Sequence, residues 1–394
     1  MKEPYLKKSV CAYCGDAPVS HALFYFASLV GTNLDNHIVK VTKYAPNFLK
    51  YFVDWFILVF FETFLFFKLA HLSSDINQAK TFRSRVVWEE AKRRGIEMQQ
   101  LIIFGKPTDQ YRAKIKGKTV YFHSLPIPPQ FLSMKKNWDD KFVLKKELAK
   151  KNIPIPYYFQ FPVFYPQNIE KIFSKFEKPI IIKPRTGSRG RHTLTNIHTL
   201  EQFQAGINVA KKISAYIVAE EHLEGDVCRA TFVRGNLVGF YRGAAPFVVG
   251  DGVKTIHQLV VEKDKKRPKR VERISLGAEV AEHISRSGFK VGDVLPDGMR
   301  LSLTHRTGRL FGGVTKEMLD ELHPSFIPVL KQAATIVDLA VVGFDAIIPD
   351  PTKPAHSQRW GIIECNSLPF IDLHYYALAG KPKNIAGMIW DLWK

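Results

Sequence analysis

Two apolar, β-branched runs near the carboxyl end carry polar residues that do not belong in a core. One is Gly343-Phe-Asp345-Ala-Ile-Ile, the other Trp360-Gly-Ile-Ile-Glu364-Cys-Asn366. Runs of this kind read as buried strands. An acid set into a buried strand is costly unless something offsets its desolvation. A hard cation such as Mg²⁺ does so, because it prefers oxygen ligands and is held by one or two carboxylates together with substrate phosphates. Glu364 and Asn366 stand two apart, so a strand presents them on one face. Asp345 comes from a neighbouring strand through the Pro-, Asp- and Lys-rich connection 349–357. On these residues alone, a turn acid with a capping Asn is an open alternative.

Further upstream, Lys178-Pro-Ile-Ile-Ile-Lys183-Pro reads as a short strand ending in a lysine. It runs into Arg185-Thr-Gly187-Ser188-Arg189-Gly190-Arg191. Glycines free the backbone to wrap an anion, and Ser and Arg add donors. A turn of this composition is also common as an exposed hairpin, and it lacks the spacing of a P-loop or a dinucleotide fingerprint. Lys263 to Arg273 is the densest basic run. A solvated loop is its ordinary meaning, and a carboxylate-bearing or polyanionic substrate the sharper one.

The chain has 394 residues, enough for two or three domains and a large core, and a formal charge of +20. That charge implies acidic partners, whether nucleotide, polyanion, nucleic acid or anionic lipid, without choosing among them. Four cysteines in so long a chain count against a disulfide framework and favour a reducing, cytoplasmic compartment. Cys11 and Cys14 form a CxxC with no second ligand pair at zinc spacing, so they read as two free thiols near a mobile terminus. No secretory signal opens the sequence. Tyr51 to Ala70 is membrane-like but contains Asp54 and Glu62, so a buried or interfacial helix is favoured over a span. Peripheral membrane contact through 51–70 is the lesser reading.

The elements that must position these residues follow in order. Residues 1 to about 75 are aromatic-rich and mostly helical by pattern. Thr81 to Arg94 reads as an amphipathic helix with Val86, Val87 and Ala91 inward and Arg83, Arg85, Lys92 and Arg93 outward. Met98 to Phe104 is a strand, and 111–123 a hairpin turning at Gly117-Lys118. Leu125-Pro-Ile-Pro-Pro129 is a stiff linker, which divides the chain into an amino-terminal domain, 1–130, and a second unit, 131–394. There, Asp139 to Lys151 is a basic helix closed by Ile153-Pro-Ile-Pro156. Strands follow at 215–221, 227–233 and 237–242, with a helix from about Thr255. A last amphipathic helix, 327–339, feeds Asp345. The fold class is mixed α/β (α+β).

From Asp139 onward, five pieces in order resemble an ATP-grasp ligase, above all the ATP-grasp part of cyanophycin synthetases and related glutathione synthetases. They are Lys141 before a helix ending in Ile-Pro-Ile-Pro; Ile-Ile-Lys183-Pro with its glycine loop; Glu220-Glu221-His-Leu223-Glu-Gly-Asp226 with Arg229 behind it; Ala245-Pro-Phe-Val-Val-Gly-Asp-Gly252; and Gly343-Phe-Asp345 paired with Ile-Ile-Glu364-Cys-Asn366. Val291-Gly-Asp-Val-Leu-Pro296 and Leu322-His-Pro324 also match runs of that family. The resemblance implies two α/β subdomains gripping ATP and an ADP-forming carbon–nitrogen ligase working through an acyl phosphate. It places Lys141 and Lys183 on the phosphates and makes Gly187, Ser188, Arg189, Gly190 and Arg191 a lid over them. Glu220 and the backbone near Leu223 would hold the adenine edge, and Asp226 or Glu221 the ribose. Arg229 and Arg242 would stabilise the transferred phosphoryl group, and Asp345, Glu364 and Asn366 would hold one or two Mg²⁺, with Mn²⁺ as an alternative. The substrates implied are small carboxylates and amines, an acidic carboxylate suiting the charge, and a homo-oligomer is left open.

The sequence departs from that family in three places. Cyanophycin synthetases continue into a second, Mur-ligase-like module, whereas this sequence stops at Lys394, so the expectation is that it is not a complete enzyme of that kind. The run Thr307-Gly-Arg-Leu-Phe311 lacks the small polar residues, an asparagine among them, that the family shows before Gly312-Gly313. Cys365 stands where an aliphatic residue is usual. Two other functions compete with the ligase: a non-catalytic nucleotide-binding protein of the same fold, and a binder of nucleic acid or anionic membrane. The last predicts affinity that falls steeply with salt and ignores ATP, and the absence of aromatic-interleaved basic strands counts against RNA. Replacing either Asp345 or Glu364 by its amide is expected to stop turnover and spare the fold.

Overall fold

Thr81 accepts a hydrogen bond from the Ser84 amide and so starts the helix Phe82–Arg93. The computed structural model describes residues 11–14, 19–42, 48–132, 136–164, 168–187 and 189–394; Ser188 and the basic residues 1–8 lie outside them. Helices His21–Thr42 and Phe48–Phe66 come first. An antiparallel sheet follows, in the order Ala70–Ser73, Glu97–Ile103, Lys106–Ile115, Lys118–His123. Phe61 of the second helix packs on Tyr121 of this sheet. Tyr51, Phe52, Trp55 and Phe56 are each more than half exposed. That helix is therefore only partly buried, and among the described residues no helix is long and apolar enough to cross a membrane.

The other face of the sheet is buried by Val86, Val87 and Trp88, and by Ile385, Ile389 and Trp390 of the last helix, Ile385–Trp390. Trp390 donates its indole N–H to the Val87 carbonyl at 2.9 Å. Arg83 is not on the solvent side as the pattern suggested. It is buried, donates to Ser124 Oγ at 2.6 Å and contacts the Leu368 carbonyl. A guanidinium that fans its donors over several acceptors can sit in a core that helical periodicity assigns to apolar residues.

Two antiparallel sheets carry the chemistry-bearing residues. One has the order Tyr158–Pro162, Tyr216–Glu221, Ile180–Pro184, Leu194–Ile197, and packs through Ile180, Ile182 and Ile217 against Phe203 of the helix Leu200–Ala210. The other has the order Thr315–Glu317, Asn236–Gly243, Asp226–Val233, Val341–Ile348, Gly361–Asn366. Its core is Phe232, Phe240, Phe344 and Ile362 against Phe326, Leu330 and Val337 of the helix Phe326–Val337. The named strands all pair antiparallel, so the mixed α/β class takes its α+β form.

Candidate active site

Register puts three charged residues in one row. Strand Val341–Ile348 lies between Asp226–Val233 and Gly361–Asn366, with Asp345 opposite Arg229 on one side and Glu364 on the other. Directly opposed residues share a face, so all three side chains leave the sheet together. Arg229 grips Asp345 with two parallel bonds, Nε to Oδ1 at 2.6 Å and Nη2 to Oδ2 at 2.5 Å. Asn366 donates to Asp345 Oδ2 at 3.2 Å. Gly343 clears the way: a Cβ there would come within 2.8 Å of Pro369 and 3.4 Å of the Arg229 side chain.

Burial pushes the Asp345 carboxyl up to about 6, partly opposed by Arg229, and Glu364 adds to the rise. Burial acts upward on Glu364 too. There Lys141 leads a set of neighbours, with Asp345, Lys183 and Arg229, that outweighs it and holds the carboxyl down to about 2. Two acids this close compete for ionisation, which is the situation a bound cation relieves.

Lysines face the row. Asp140 caps the helix Lys141–Ala149 and also takes Arg185 Nε at 2.8 Å, which fixes the helix start against the strand Ile180–Pro184. Lys141 lies 3.6 Å from Glu364 Oε2 and donates to the Gly187 carbonyl at 2.8 Å. Lys183 meets Glu220 at 2.7 Å, and Lys145 reaches the other oxygen of Glu220 at 2.8 Å. One carboxylate thus serves two ammonium groups. Burial of Lys145, opposed by Glu220, lowers its ammonium to about 7. Burial would raise Glu220, but Lys145 and Lys183 prevail and hold it low.

Between the two sheets lies a cleft of about 570 Å³. Of the residues singled out from sequence, Lys141, Lys183, Gly187, Arg189, Gly190, Arg191, Leu223, Asp226, Arg229, Asp345, Glu364 and Asn366 all line it. Glu220, Glu221 and Arg242 do not. Glu220 is spent on its two lysines, and Glu221 turns outward to Arg359 at 2.5 Å. Arg242 sits behind Asp226, bonded to it at 2.6 Å. Ser188 lies outside the described residues. The glycine loop is tied down by Arg306, donating to the Arg189 carbonyl at 3.0 Å, and by His305 at the Gly190 carbonyl, 3.1 Å away.

Sequence reasoning passed over several residues of this site. Lys145 belongs to a basic helix with Lys146 and Lys150, yet its side chain is fully buried. Its signal was the spacing of four from Lys141, which puts both on one helix face. Arg309, in the run that departs from the family, pairs at 2.7 Å with Asp372, and both line the cleft with His283 and His305. The reading of Cys11 and Cys14 as partnerless thiols is corrected: His21 and His192 come within hydrogen-bonding reach of them. No sequence spacing could announce this, because His192 is 178 residues from Cys14.

No family model matches the chain. It is 28% identical over 261 residues to the cyanophycin synthetase of Trichormus variabilis, a match covering 64% of this chain and 29% of that protein. It is 28% identical over 297 residues to the glutathione biosynthesis bifunctional protein GshAB of Mannheimia succiniciproducens, covering 70% of this chain and 37% of the relative. The chain thus spans about a third of the length of these curated relatives. Among solved structures, a bifunctional glutathione synthetase from Pasteurella multocida aligns with a TM-score of 0.49 at 21% identity, over 79% of this chain and 43% of that one. The resemblance expected from the motifs is borne out by the two curated relatives, and the mixed α/β class by the fold.

Proposed function

We propose that the chain is an ATP-grasp ligase that joins a carboxylate to an amine with formation of ADP. The reading rests on one observation: the row Arg229, Asp345, Glu364 stands in the same cleft as Lys141 and Lys183. One side of that cleft offers acids and an amide for a cation, the other ammonium groups for phosphates. The relatives named for cyanophycin and glutathione synthesis support the same chemistry. We place the phosphate-handling unit in 131–394, with 1–130 as a preceding domain.

In this reading a substrate carboxylate oxygen attacks the γ-phosphorus, and the bond to the β,γ-bridging oxygen breaks. The products are an acyl phosphate and ADP. An amine nitrogen then attacks the acyl carbon, phosphate leaves, and the nitrogen gives up a proton. Lys141 and Lys183 hold the phosphates as point charges, and Arg229 stabilises charge on the transferred group. Arg242 contributes through Asp226, which it orients. The loop 187–191 closes over the phosphates and excludes water. Two further findings adjust the roles the resemblance implied. Glu220 is better read as the anchor of Lys145 and Lys183, leaving the adenine edge to backbone near Leu223. Asp226, on the cleft wall, suits the ribose better than the outward Glu221.

Mg²⁺ fits Asp345, Glu364 and Asn366 as a set of hard oxygen donors, and Asp345 keeps spare lone pairs beside its bonds to Arg229. Bound there, the ion would neutralise charge on the β- and γ-phosphates. An acidic amino acid or peptide is the proposed carboxylate, on the strength of the +20 charge. Incubating the protein with ATP, Mg²⁺ and a panel of acids and amines tests this reading. ADP formed only when both an acid and an amine are present supports a ligase; tight ATP binding with no turnover across the panel favours a nucleotide-binding protein.

A further inference from the structure

Only four cysteines occur in the chain, and two of them converge with two histidines that do not line the cleft. The ligand atoms of Cys11, Cys14, His21 and His192 all lie within 4.8 Å of one another. Three of the separations are 3.2 Å (Cys14 Sγ to His21 Nε2), 3.5 Å (Cys14 Sγ to His192 Nε2) and 3.7 Å (Cys11 Sγ to His192 Nε2). A tetrahedron with zinc–sulfur bonds near 2.3 Å and zinc–nitrogen bonds near 2.0 Å has sulfur-to-nitrogen edges of about 3.5 Å. The four atoms are therefore already spaced as ligands of one ion.

The surroundings agree. Residues 12–14 form a turn of 3-10 helix in which the Cys14 amide donates to the Cys11 carbonyl at 3.1 Å, so both thiols project to one side. The second ring nitrogen of His192, Nδ1, is 2.8 Å from the Val209 carbonyl. Donation there fixes the tautomer and leaves Nε2 unprotonated toward the sulfurs, the arrangement typical of metal-bound histidine. The His21 and His192 rings stand at 89° with centroids 4.8 Å apart, edge to face, as two imidazoles converging on one point do. Cys14 and His192 are buried.

We infer that Cys11, Cys14, His21 and His192 form a structural Zn²⁺ site that fastens the amino-terminal segment to the root of the glycine-rich loop. Two thiolates and two imidazoles in tetrahedral array select zinc over harder ions. Four protein ligands leave no open position, so the site is structural and not catalytic. His192 directly follows the loop 187–191, and its amide donates to the Tyr13 carbonyl at 3.1 Å. Arg306, which also holds the Arg189 carbonyl, donates to that same Tyr13 carbonyl at 2.9 Å. The ion therefore anchors one end of the segment that closes over the cleft.

The test uses the full chain, expressed without a histidine tag and purified without chelator. Elemental mass spectrometry is expected to find one zinc per chain, falling to about a tenth or less in Cys14→Ser and in His192→Ala. Should those variants not fold, the unmutated chain decides. Stripped of metal and reloaded with Co²⁺, it is expected to show thiolate-to-cobalt charge transfer and the strong visible absorption of a tetrahedral ion. It should also melt at a lower temperature when stripped. A protein that takes up no Co²⁺, a weak octahedral spectrum, or a Cys11–Cys14 disulfide in the protein as purified overturns the inference.

Discussion

Asp345→Asn and Glu364→Gln are both expected to stop catalysis, but they should differ sharply in stability. The Asp345 side chain is 5% exposed and that of Arg229 8%, and they share two short parallel bonds. An amide at 345 turns an N–H₂ toward a guanidinium that has only donors and strands a buried charge. Breaking such a pair costs about 3–5 kcal/mol. With an unfolding entropy of roughly 2 cal/mol/K per residue over the whole chain, that lowers the thermal midpoint by about 4–6 °C, and by more if this lobe unfolds separately. Glu364 is different. Its side chain is 26% exposed and lies 3.6 Å from Lys141, which keeps its bond to Gly187. Glutamine keeps the shape of that side chain, and the relief of repulsion with Asp345 offsets part of the cost of the lost contact. Calorimetry gives the midpoints, and a coupled assay of ADP release should show a drop of about 100-fold or more in both variants. An Asp345→Asn protein as stable as the parent, or a Glu364→Gln protein with full turnover, would refute the reasoning. The sequence alone predicts that both variants keep the fold; the buried Arg229–Asp345 pair adds a stability cost for Asp345.

Lys183→Met should fold, because Lys145 still pairs with Glu220 at 2.8 Å, yet bind ATP about 10-fold or more weakly by titration calorimetry. Glu220→Ala should instead lose about 3–5 kcal/mol in urea unfolding, since it leaves two lysines buried without their acid. Arg309→Ala, by stranding Asp372, should cost a similar amount; a loss under about 1 kcal/mol would show the pair to be dispensable. His283 is buried and its Nδ1 has no hydrogen-bond partner among the described residues. Burial, aided by Arg286, lowers its imidazolium to about 4. The unfolded chain then binds the extra proton first, so this contribution to stability is complete above pH ~6.5 and is lost as pH falls toward 4, about 3 kcal/mol in all. Urea midpoints measured across that range should fall less steeply in His283→Leu than in the parent.

The acids of the row were legible because carboxylates in β-branched apolar runs have few explanations. Their alignment was not, because cross-strand register is set by pairings between segments far apart in sequence. Charge also misled where burial was at issue. Arg83 read as solvent-facing, yet it is buried among partners contributed by distant elements. The choice between Asp226 and Glu221 was open in the sequence because a strand alternates its faces, so only one of the adjacent acids Glu220 and Glu221 turns inward. The cysteine–histidine cluster was beyond reach, since its fourth member, His192, joins Cys11, Cys14 and His21 only through the fold.

Co-crystals of the full chain with Mn²⁺ and a non-hydrolysable ATP analogue offer the most direct measurement. Anomalous scattering should place manganese against Asp345, Glu364 and Asn366, with the triphosphate between that ion and Lys141 and Lys183. Nucleotide bound outside this cleft, or manganese elsewhere with the cleft filled, would contradict the assignment of the site.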